Sequence, residues 1–291
     1  MITIPGVYNI PAVEYHTDPC PTASLSCSIA KVLLAHSPRH AWMAHPRLNP
    51  NFQCKEKEQW DIGTAAHAAL LEGKDVCVPI DEFKDWRKDA AKALRDSIRA
   101  EGKTPLLRRD YDTVQAMVGA ATLAIANCPD LSGVTLADGK PEQTLIWQDN
   151  EVWCRSRIDW ISNERDIIID YKTTAASASP ASWGRTMAGM GGEIQPVFYS
   201  RGNAATGGPA TAKFVFLVQE TDPPHVCSFI GLSPEYMNFA GVKVDDAIRI
   251  WGNCLRSGKW PGYTNRIAWI EPTPWATAQH EELMTAMGER E

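Results

Sequence analysis

The residues best suited to chemistry are two aspartates and one lysine in the middle of the chain. Asp159 falls in the segment VWCRSRIDWIS, and Asp170 and Lys172 fall in DIIIDYKT, with the polar turn SNER between them. Segments rich in β-branched and aromatic residues on both sides of a turn are typical of an antiparallel hairpin. Pairing about this turn would bring Asp159 near Asp170, and side chains two residues apart on a strand share a face. We therefore expect two carboxylates and one ammonium group to converge.

This combination of groups is suited to metal-assisted phosphate chemistry. Two adjacent carboxylates repel each other unless a cation neutralises them or one of them takes up a proton. Carboxylate oxygens suit Mg²⁺ or Mn²⁺, and such an ion can stabilise charge on a scissile phosphate and lower the pKa of an attacking water. Lys172 would orient or deprotonate that water, or stabilise the developing charge. The bare spacing also fits an ordinary ion pair between Asp170 and Lys172, with Asp159 capping a turn.

The elements around the hairpin predict an α/β fold. The segment from Leu25 to Trp42 opens with serines that can cap a helix, which Ser37-Pro38 interrupts or restarts. Another helix is expected in DIGTAAHAALLEG, with Thr64 as its N-cap and Gly73 as its end. Further helices are expected at residues 82–101, 109–127, 193–203 and 234–256. The remaining strands are predicted in EQTLIWQ, KFVFLVQE and HVCSFIGL. Helices, a three-stranded meander and then more helix and strand indicate a sheet flanked by helices.

Charge is distributed unevenly along the chain. The net charge is −6, which argues at first against a nucleic-acid partner. The segment from Lys84 to Arg109, however, contains nine Lys and Arg residues and four Asp and Glu residues, which gives it a net charge of +5. The spacing predicts that five of these cations lie along one helix face, where they would contact DNA: Lys84, Lys88, Lys92, Arg95 and Arg99. A solvated helix face is an equally good interpretation of the same pattern.

The cysteines and the apolar segments bear on the cellular compartment of the protein. The eight cysteines are scattered without a C-x2-C pair, so we expect reduced thiols and no iron–sulfur cluster. No run of about 18 apolar residues would span a bilayer, and the start MITIPGVYNIP lacks a charged n-region followed by an apolar h-region. We therefore expect a cytoplasmic protein without a membrane partner.

The segment RSRIDWISNERDIIIDYKTTA resembles the core of RecE-type exonucleases, also called exonuclease VIII, within the RecB-like branch of PD-(D/E)XK nucleases. Other motifs agree in order: the entrance segment LSCSIAKVLLAHSPRH, the histidine motif GTAAH, the acidic residue of PEQTLIW and a Q-x-x-x-Y pair. The resemblance covers about residues 20–263. Ile158 stands where the group's name expects proline. The resemblance implies a restriction-endonuclease-like core, a central mixed β-sheet flanked by helices.

The resemblance also implies roles for individual residues. Glu142, Asp159 and Asp170 would hold one or two Mg²⁺ or Mn²⁺ ions, joined by the Tyr171 backbone carbonyl and by His67. Lys172 would manage the nucleophilic water. The remaining implied assignments are Gln195 and Tyr199, which would position Lys172 or the DNA strand, and Arg157 and Thr173, which would contact DNA. For His67 a core histidine, and for the Gln195–Tyr199 pair surface hydrogen bonding, are the structural alternatives.

The activity that the resemblance implies is degradation of linear double-stranded DNA from its 5′ end, in a bacterial or phage-infected cell. Such enzymes supply single strands for homologous recombination, which implies a single-strand annealing protein as a partner, and relatives assemble as rings around DNA. Two alternatives remain: a RecB-like endonuclease or single-strand nuclease of the helicase-associated or CRISPR-adaptation type, and a DNA-end-binding scaffold without turnover. The helicase-associated and CRISPR-adaptation nucleases commonly carry a four-cysteine iron–sulfur cluster, with three closely spaced cysteines near the C-terminus. Here only Cys227 and Cys254 follow the core, so this alternative loses support.

The chain is expected to form one nuclease domain over residues 1–265, opened by the helical entrance segment. Residues 266–291 form a tail with Trp269, Trp275, two prolines and a net charge of −3. The tail would either dock a partner or pack as a helix on its own domain.

Overall fold

A mixed β-sheet lies at the centre of the fold in the computed structural model, which describes residues 1–52, 62–72 and 77–288. The strands in these ranges are β1 (Gly6–Tyr8), β2 (Leu25–Ser26), β3 (Cys77–Ile80), β4 (Thr104–Leu107), β5 (Gly139–Asp149), β6 (Val152–Ser162), β7 (Ile167–Thr174), β8 (Lys213–Glu220) and β9 (Cys227–Ile230). The main sheet has the order β1-β5-β6-β7-β8-β9, and β2 pairs with β6. Strands β5, β6 and β7 are antiparallel neighbours, whereas β7 and β8 are parallel. Strands β3 and β4 form a separate parallel pair.

Helices cover both faces of this sheet. The α-helices of the described residues are α1 (Ala12–His16), α2 (Cys27–Ala35), α3 (Pro38–Ala44), α4 (Ile62–Leu71), α5 (Asp89–Ala100), α6 (Arg108–Ala126), α7 (Pro180–Gly189), α8 (Ile194–Ala205), α9 (Pro234–Ser257) and α10 (Pro274–Gly288). Side chains alternate along β7, so Ile168 joins the apolar layer of α2, α8 and α9, while Ile169 and Tyr171 join the layer of α4 and α6. This arrangement confirms the expected α/β class.

The elements nearest the hairpin were predicted closely. KFVFLVQE coincides with β8, and the helices expected at 109–127, 193–203 and 234–256 correspond to α6, α8 and α9. The first predicted helix is divided into α2 and α3 at Ser37-Pro38. Ser26 caps α2, because its hydroxyl accepts a hydrogen bond from the Ile29 N–H at 3.4 Å.

The starts of α4 and α5 and the segment between β7 and α8 differ from the prediction. Helix α4 begins at Ile62, whose side chain packs in the layer of α4 and α6. Thr64 therefore lies inside the helix and is not its N-cap. The predicted end at Gly73 lies outside the described residues. Helix α5 begins only at Asp89, because the Asp85 carboxylate accepts from the Arg87 N–H at 2.9 Å and stabilises a local turn. The segment between β7 and α8, which is rich in Gly, Ala and Ser, contains α7, although no helix was predicted there.

The turn between β6 and β7 is fixed to the end of α8. Arg165, with a positive φ of 62°, donates through Nε to Asn203 Oδ1 at 3.0 Å and through Nη1 to the Thr206 carbonyl at 2.8 Å. The buried Asn203 amide donates back to the Arg165 carbonyl at 3.0 Å. These bonds hold the hairpin against the helix that carries Gln195.

The chain divides into two compact units, Met1–Trp260 and Pro261–Glu291. The second unit contains α10, and its Trp269 and Trp275 are exposed. Its role as a docking segment stays a prediction. Across the described ranges, every helix is too short or too polar to cross a membrane.

Two helical glycines give a matched test of packing. A Cβ at Gly202 in α8 would lie 2.7 Å from the ring of the buried Trp147, whereas a Cβ at Gly119 in α6 would meet nothing within 4 Å. We expect Gly202→Ala to lower the free energy of unfolding by about 1–3 kcal/mol through overpacking. Gly119→Ala should raise it by roughly 0.5–1 kcal/mol, because alanine loses less backbone entropy on folding than glycine. Urea unfolding in EDTA measures both, and a Gly202→Ala protein as stable as Gly119→Ala would contradict this packing.

Candidate metal centre

The candidate site lies where strands β6 and β7 separate. Their backbones pair at Trp160 with Ile169 and at Ile161 with Ile168, and continuing this register places Asp159 opposite Asp170. Farther along the same edge of β6, Cys154 and Arg155 pair with β2 instead. The edge of β6 between these two pairings is therefore open beside the two aspartates.

Asp159 occupies the point of separation. Its Oδ2 accepts a hydrogen bond from the Tyr171 backbone N–H at 3.1 Å, so a side chain takes the place of a strand partner. Burial works against ionisation of Asp159, but Lys172 and the hydrogen bonds from His67 and Tyr171 outweigh it and lower the pKa of this carboxyl. Asp159 is thus held as a carboxylate in a fixed orientation.

Glu142 completes a row of three acids across adjacent strands. The ladder between β5 and β6 pairs Pro141 with Trp160 and Gln143 with Ile158, which places Glu142 opposite Asp159. Glu142 has a φ of +54°, a backbone conformation that costs a residue with a side chain energy and that clusters at functional sites. Glu142, Asp159 and Asp170 therefore lie side by side on β5, β6 and β7.

His67 reaches the same place from α4. Its Nε2 lies 3.1 Å from Asp159 Oδ2, and its Nδ1 lies 3.9 Å from Glu142 Oε1. Burial lowers the pKa of His67, but the two carboxylates reverse this effect and raise it. Ligand atoms of His67, Glu142 and Asp159 all lie within 4.8 Å of one another. The expected convergence of these three residues is present in the structure.

Asp170 has different partners. Its side chain is buried; the Lys172 ammonium contacts Oδ2, and the Gln195 side-chain amide donates to Oδ1. Both carboxylate oxygens of Asp170 are therefore in contact with donor groups of the protein. Burial and the neighbouring Asp159 raise the pKa of Asp170 to about 7. A buried carboxylate in this state is stabilised by an additional cation.

Lys172 is a charged group at the mouth of the site. Burial lowers its pKa, but Asp170 and Asp159 outweigh burial and raise the pKa above that of a free lysine. Its Nζ lies 3.8 Å from Asp159 Oδ2, and its side chain is 35% exposed. The ammonium can therefore stabilise negative charge on a group that approaches from solvent.

The donor set fits a hard divalent cation. The carboxylates of Glu142 and Asp159 and the imidazole of His67 lie together, and Asp170 lies opposite Asp159 on the next strand. Glu142, Asp159 and His67 are the residues placed to hold such an ion, with Asp170 beside them. The Tyr171 carbonyl stays a predicted ligand.

The aromatic neighbours of the site have structural contacts. The Tyr171 hydroxyl donates to Gln219 Oε1 at 2.5 Å, and the buried Gln219 amide donates to the Met117 and His225 carbonyls at 2.9 and 3.1 Å. The sequence reading missed Gln219, because this contact joins residues far apart in the chain. Tyr199 follows Gln195 by one turn of α8 but is buried against Phe214, with ring centroids 6.0 Å apart. Its positioning role stays a prediction.

The predicted DNA contacts lie in three places. Arg157 donates to Glu142, inside the site, and Thr173 lies on β7 beside Lys172. Lys84 and Lys88 precede α5, so the five predicted cations do not share one helix face. Lys92 and Arg95 do lie on α5, where they pair with Asp89 at 3.0 Å and Asp96 at 2.8 Å. Arg99 follows on the same helix.

Comparisons with known proteins bear on the family. The sequence from residue 26 to residue 273 matches the model of the "PDDEXK-like domain of unknown function (DUF3799)". This chain belongs to that family. No curated protein matches the sequence significantly.

A crystal structure of a "Putative exonuclease" from Eubacterium rectale is similar in fold to this PDDEXK-like chain, with a TM-score of 0.56 and 11% identity. The similarity covers 91% of this chain and 97% of the other. It shows a common fold.

Gln195 gives a test of the site that needs no substrate. Metal ligands depend on the groups that orient them, and losing such a group costs about 10–100-fold in metal affinity. We therefore expect Mn²⁺ to raise the melting temperature of the wild-type protein, and to raise that of Gln195→Ala much less at the same concentration. Gln148→Ala, at an exposed position of β5, is the control and should respond like wild type. Equal Mn²⁺ responses of the two variants would show that Asp170 does not need the Gln195 amide.

Proposed function

We propose that this chain is a divalent-metal-dependent deoxyribonuclease, an exonuclease of the RecE type that degrades linear double-stranded DNA. The observation that carries the proposal is the row of Glu142, Asp159 and Asp170 on adjacent strands, with Lys172 in contact with Asp170. Phosphodiester hydrolysis needs a cation beside the scissile phosphate and a charged group for the developing negative charge. The family match and the fold support the nuclease part of the proposal.

The residues divide the work as follows. Glu142, Asp159 and His67 would hold Mg²⁺ or Mn²⁺, and Asp170 would complete the site. When bound, the ion supplies Lewis acidity and a water of lowered pKa. Lys172, charged and partly exposed, would contact the scissile phosphate and stabilise its added charge. Gln195 keeps Asp170 oriented, and the Tyr171 N–H keeps Asp159 oriented.

The finer parts of the proposal concern the DNA and the partners. Degradation from the 5′ end, supply of single strands to an annealing protein and assembly around DNA follow from the resemblance to RecE-type enzymes. The basic stretch from Lys84 to Arg109, including Lys92, Arg95 and Arg99 on α5, would contact phosphates by charge. A monomeric mass at micromolar concentration would argue against a ring.

End-labelled DNA tests the activity. Linear duplex DNA labelled separately at its 5′ and 3′ ends is incubated with wild-type and Lys172→Ala protein, in Mg²⁺ and in EDTA, beside a closed circle. We expect loss of the 5′ label first, only in Mg²⁺, with the circle intact. Lys172→Ala should be slower by about 10²-fold or more, since a preorganised charge at the transition state has at least that effect.

Other outcomes would change the proposal in defined ways. Cleavage of the circle would make the chain an endonuclease with the same chemistry. Loss of the 3′ label first would reverse the polarity. Binding of DNA ends without cleavage in Mg²⁺ or Mn²⁺ would favour the non-catalytic scaffold.

A further inference from the structure

Arg157 is held by groups of the protein. Its Nε donates to Glu142 Oε2, its Nη1 donates to the Ile10 carbonyl at 2.8 Å, and Nη1 also lies 3.5 Å from Thr144 Oγ1. Its side chain is only 16% exposed. A guanidinium bound on two sides in this way is poorly placed to contact a DNA phosphate, which is the role that the resemblance implies for it.

Glu142 needs such a partner. It lies where the β5–β6 ladder is interrupted, and its positive φ turns the residue away from regular strand geometry. Arg157 lies two residues before Asp159 on β6 and contacts Glu142 across the two strands. The guanidinium donates to one oxygen of the carboxylate, and this charge-assisted hydrogen bond fixes the position of Glu142 Oε2.

The N-terminal segment holds the other side of Arg157. Strand β1 pairs with β5 through Gly6 with Ile146, Val7 with Leu145 and Tyr8 with Thr144, so the Ile10 carbonyl follows directly after a strand bound to β5. Residues 9–12 then line a cleft of about 840 Å³ together with Glu142 and Arg157. The family match begins only at residue 26, so the Ile10 carbonyl that Arg157 contacts lies outside the matched region.

We infer that Arg157 is a positioning residue, which fixes Glu142 for metal binding by anchoring it to the N-terminal segment through the Ile10 carbonyl. The inference rests on the proposed function in one respect only, that Glu142 is a metal ligand. It gives the segment from Gly6 to His16 a part in the site without any contact to the metal.

The test measures Mn²⁺ binding by calorimetry in the absence of DNA, on the full chain. The variants are Arg157→Gln, Arg157→Lys, Glu142→Gln and the double variant Arg157→Gln with Glu142→Gln. Lys140→Gln is the matched control, because Lys140 is exposed and lines the same cleft, and its substitution removes the same charge as Arg157→Gln.

We expect Arg157→Gln to weaken Mn²⁺ binding about 10–100-fold, as loss of a group that orients a metal ligand does. Arg157→Lys should recover part of this loss, and Lys140→Gln should bind like wild type. In the Glu142→Gln background, Arg157→Gln should have little further effect, because the two residues act through one contact. Hydrogen exchange in EDTA should be faster at residues 9–12 in Arg157→Gln than in wild type.

Unchanged Mn²⁺ affinity in Arg157→Gln would overturn the inference, and so would additive effects of the Arg157 and Glu142 substitutions. If Arg157→Gln instead lowers DNA affinity and reduces the salt slope by about one, Arg157 is a phosphate contact. Should Arg157→Gln not fold, Arg157→Lys keeps the test decisive: Mn²⁺ affinity between those of wild type and Glu142→Gln supports the inference, and affinity equal to that of wild type overturns it. If the Arg157 and Glu142 substitutions affect Mn²⁺ binding non-additively but wild type cleaves no DNA, the inference stands and the nuclease proposal is rejected. If wild type cleaves DNA and Arg157→Gln binds Mn²⁺ normally, the nuclease proposal stands and the inference is rejected.

Discussion

The site depends on the point at which backbone pairing between β6 and β7 stops. A buried N–H without a partner costs about as much as a lost hydrogen bond, so the separated strands need other acceptors. Asp159 provides one for the Tyr171 N–H, and β2 provides the next pairing along β6. The loop before β2 is held by the buried Asp18, which accepts from Ser24 N at 2.9 Å and pairs with Arg155 at 3.2 Å. The opening is therefore part of the fold and is supported from both ends.

A row of acids at such an opening is electrostatically costly. Glu142, Asp159 and Asp170 lie on adjacent strands, where their mutual repulsion and partial burial favour the protonated forms. The protein opposes this with one basic side chain for each acid: Arg157 at Glu142, His67 at Asp159 and Lys172 at Asp170. Asp170 still keeps a raised pKa. The compensation is incomplete, and a divalent cation is the group that would complete it.

The sequence allowed much of this to be predicted, because the decisive pattern is local. The hairpin, the facing aspartates and Lys172 follow from strand periodicity and one polar turn. The start of α5 at Asp89 was not predictable from cation spacing, since the Asp85 turn competes with the helix. Three further features join distant segments: the bridge from Arg157 to Ile10, the Tyr171–Gln219 contact and the β2–β6 pairing. Periodicity carries no information about such contacts, and β1 and β2 are too short to give a strand signal.

The central claim is that the three aligned acids form a metal centre. Crystals of the full chain soaked in Mn²⁺, with anomalous diffraction collected at the manganese edge, test it most directly. The account predicts an anomalous peak within about 2.0–2.3 Å of carboxylate oxygens of Glu142 and Asp159, with Asp170 or His67 at the same ion. Fully occupied manganese elsewhere in the molecule, with none between these strands, would contradict it.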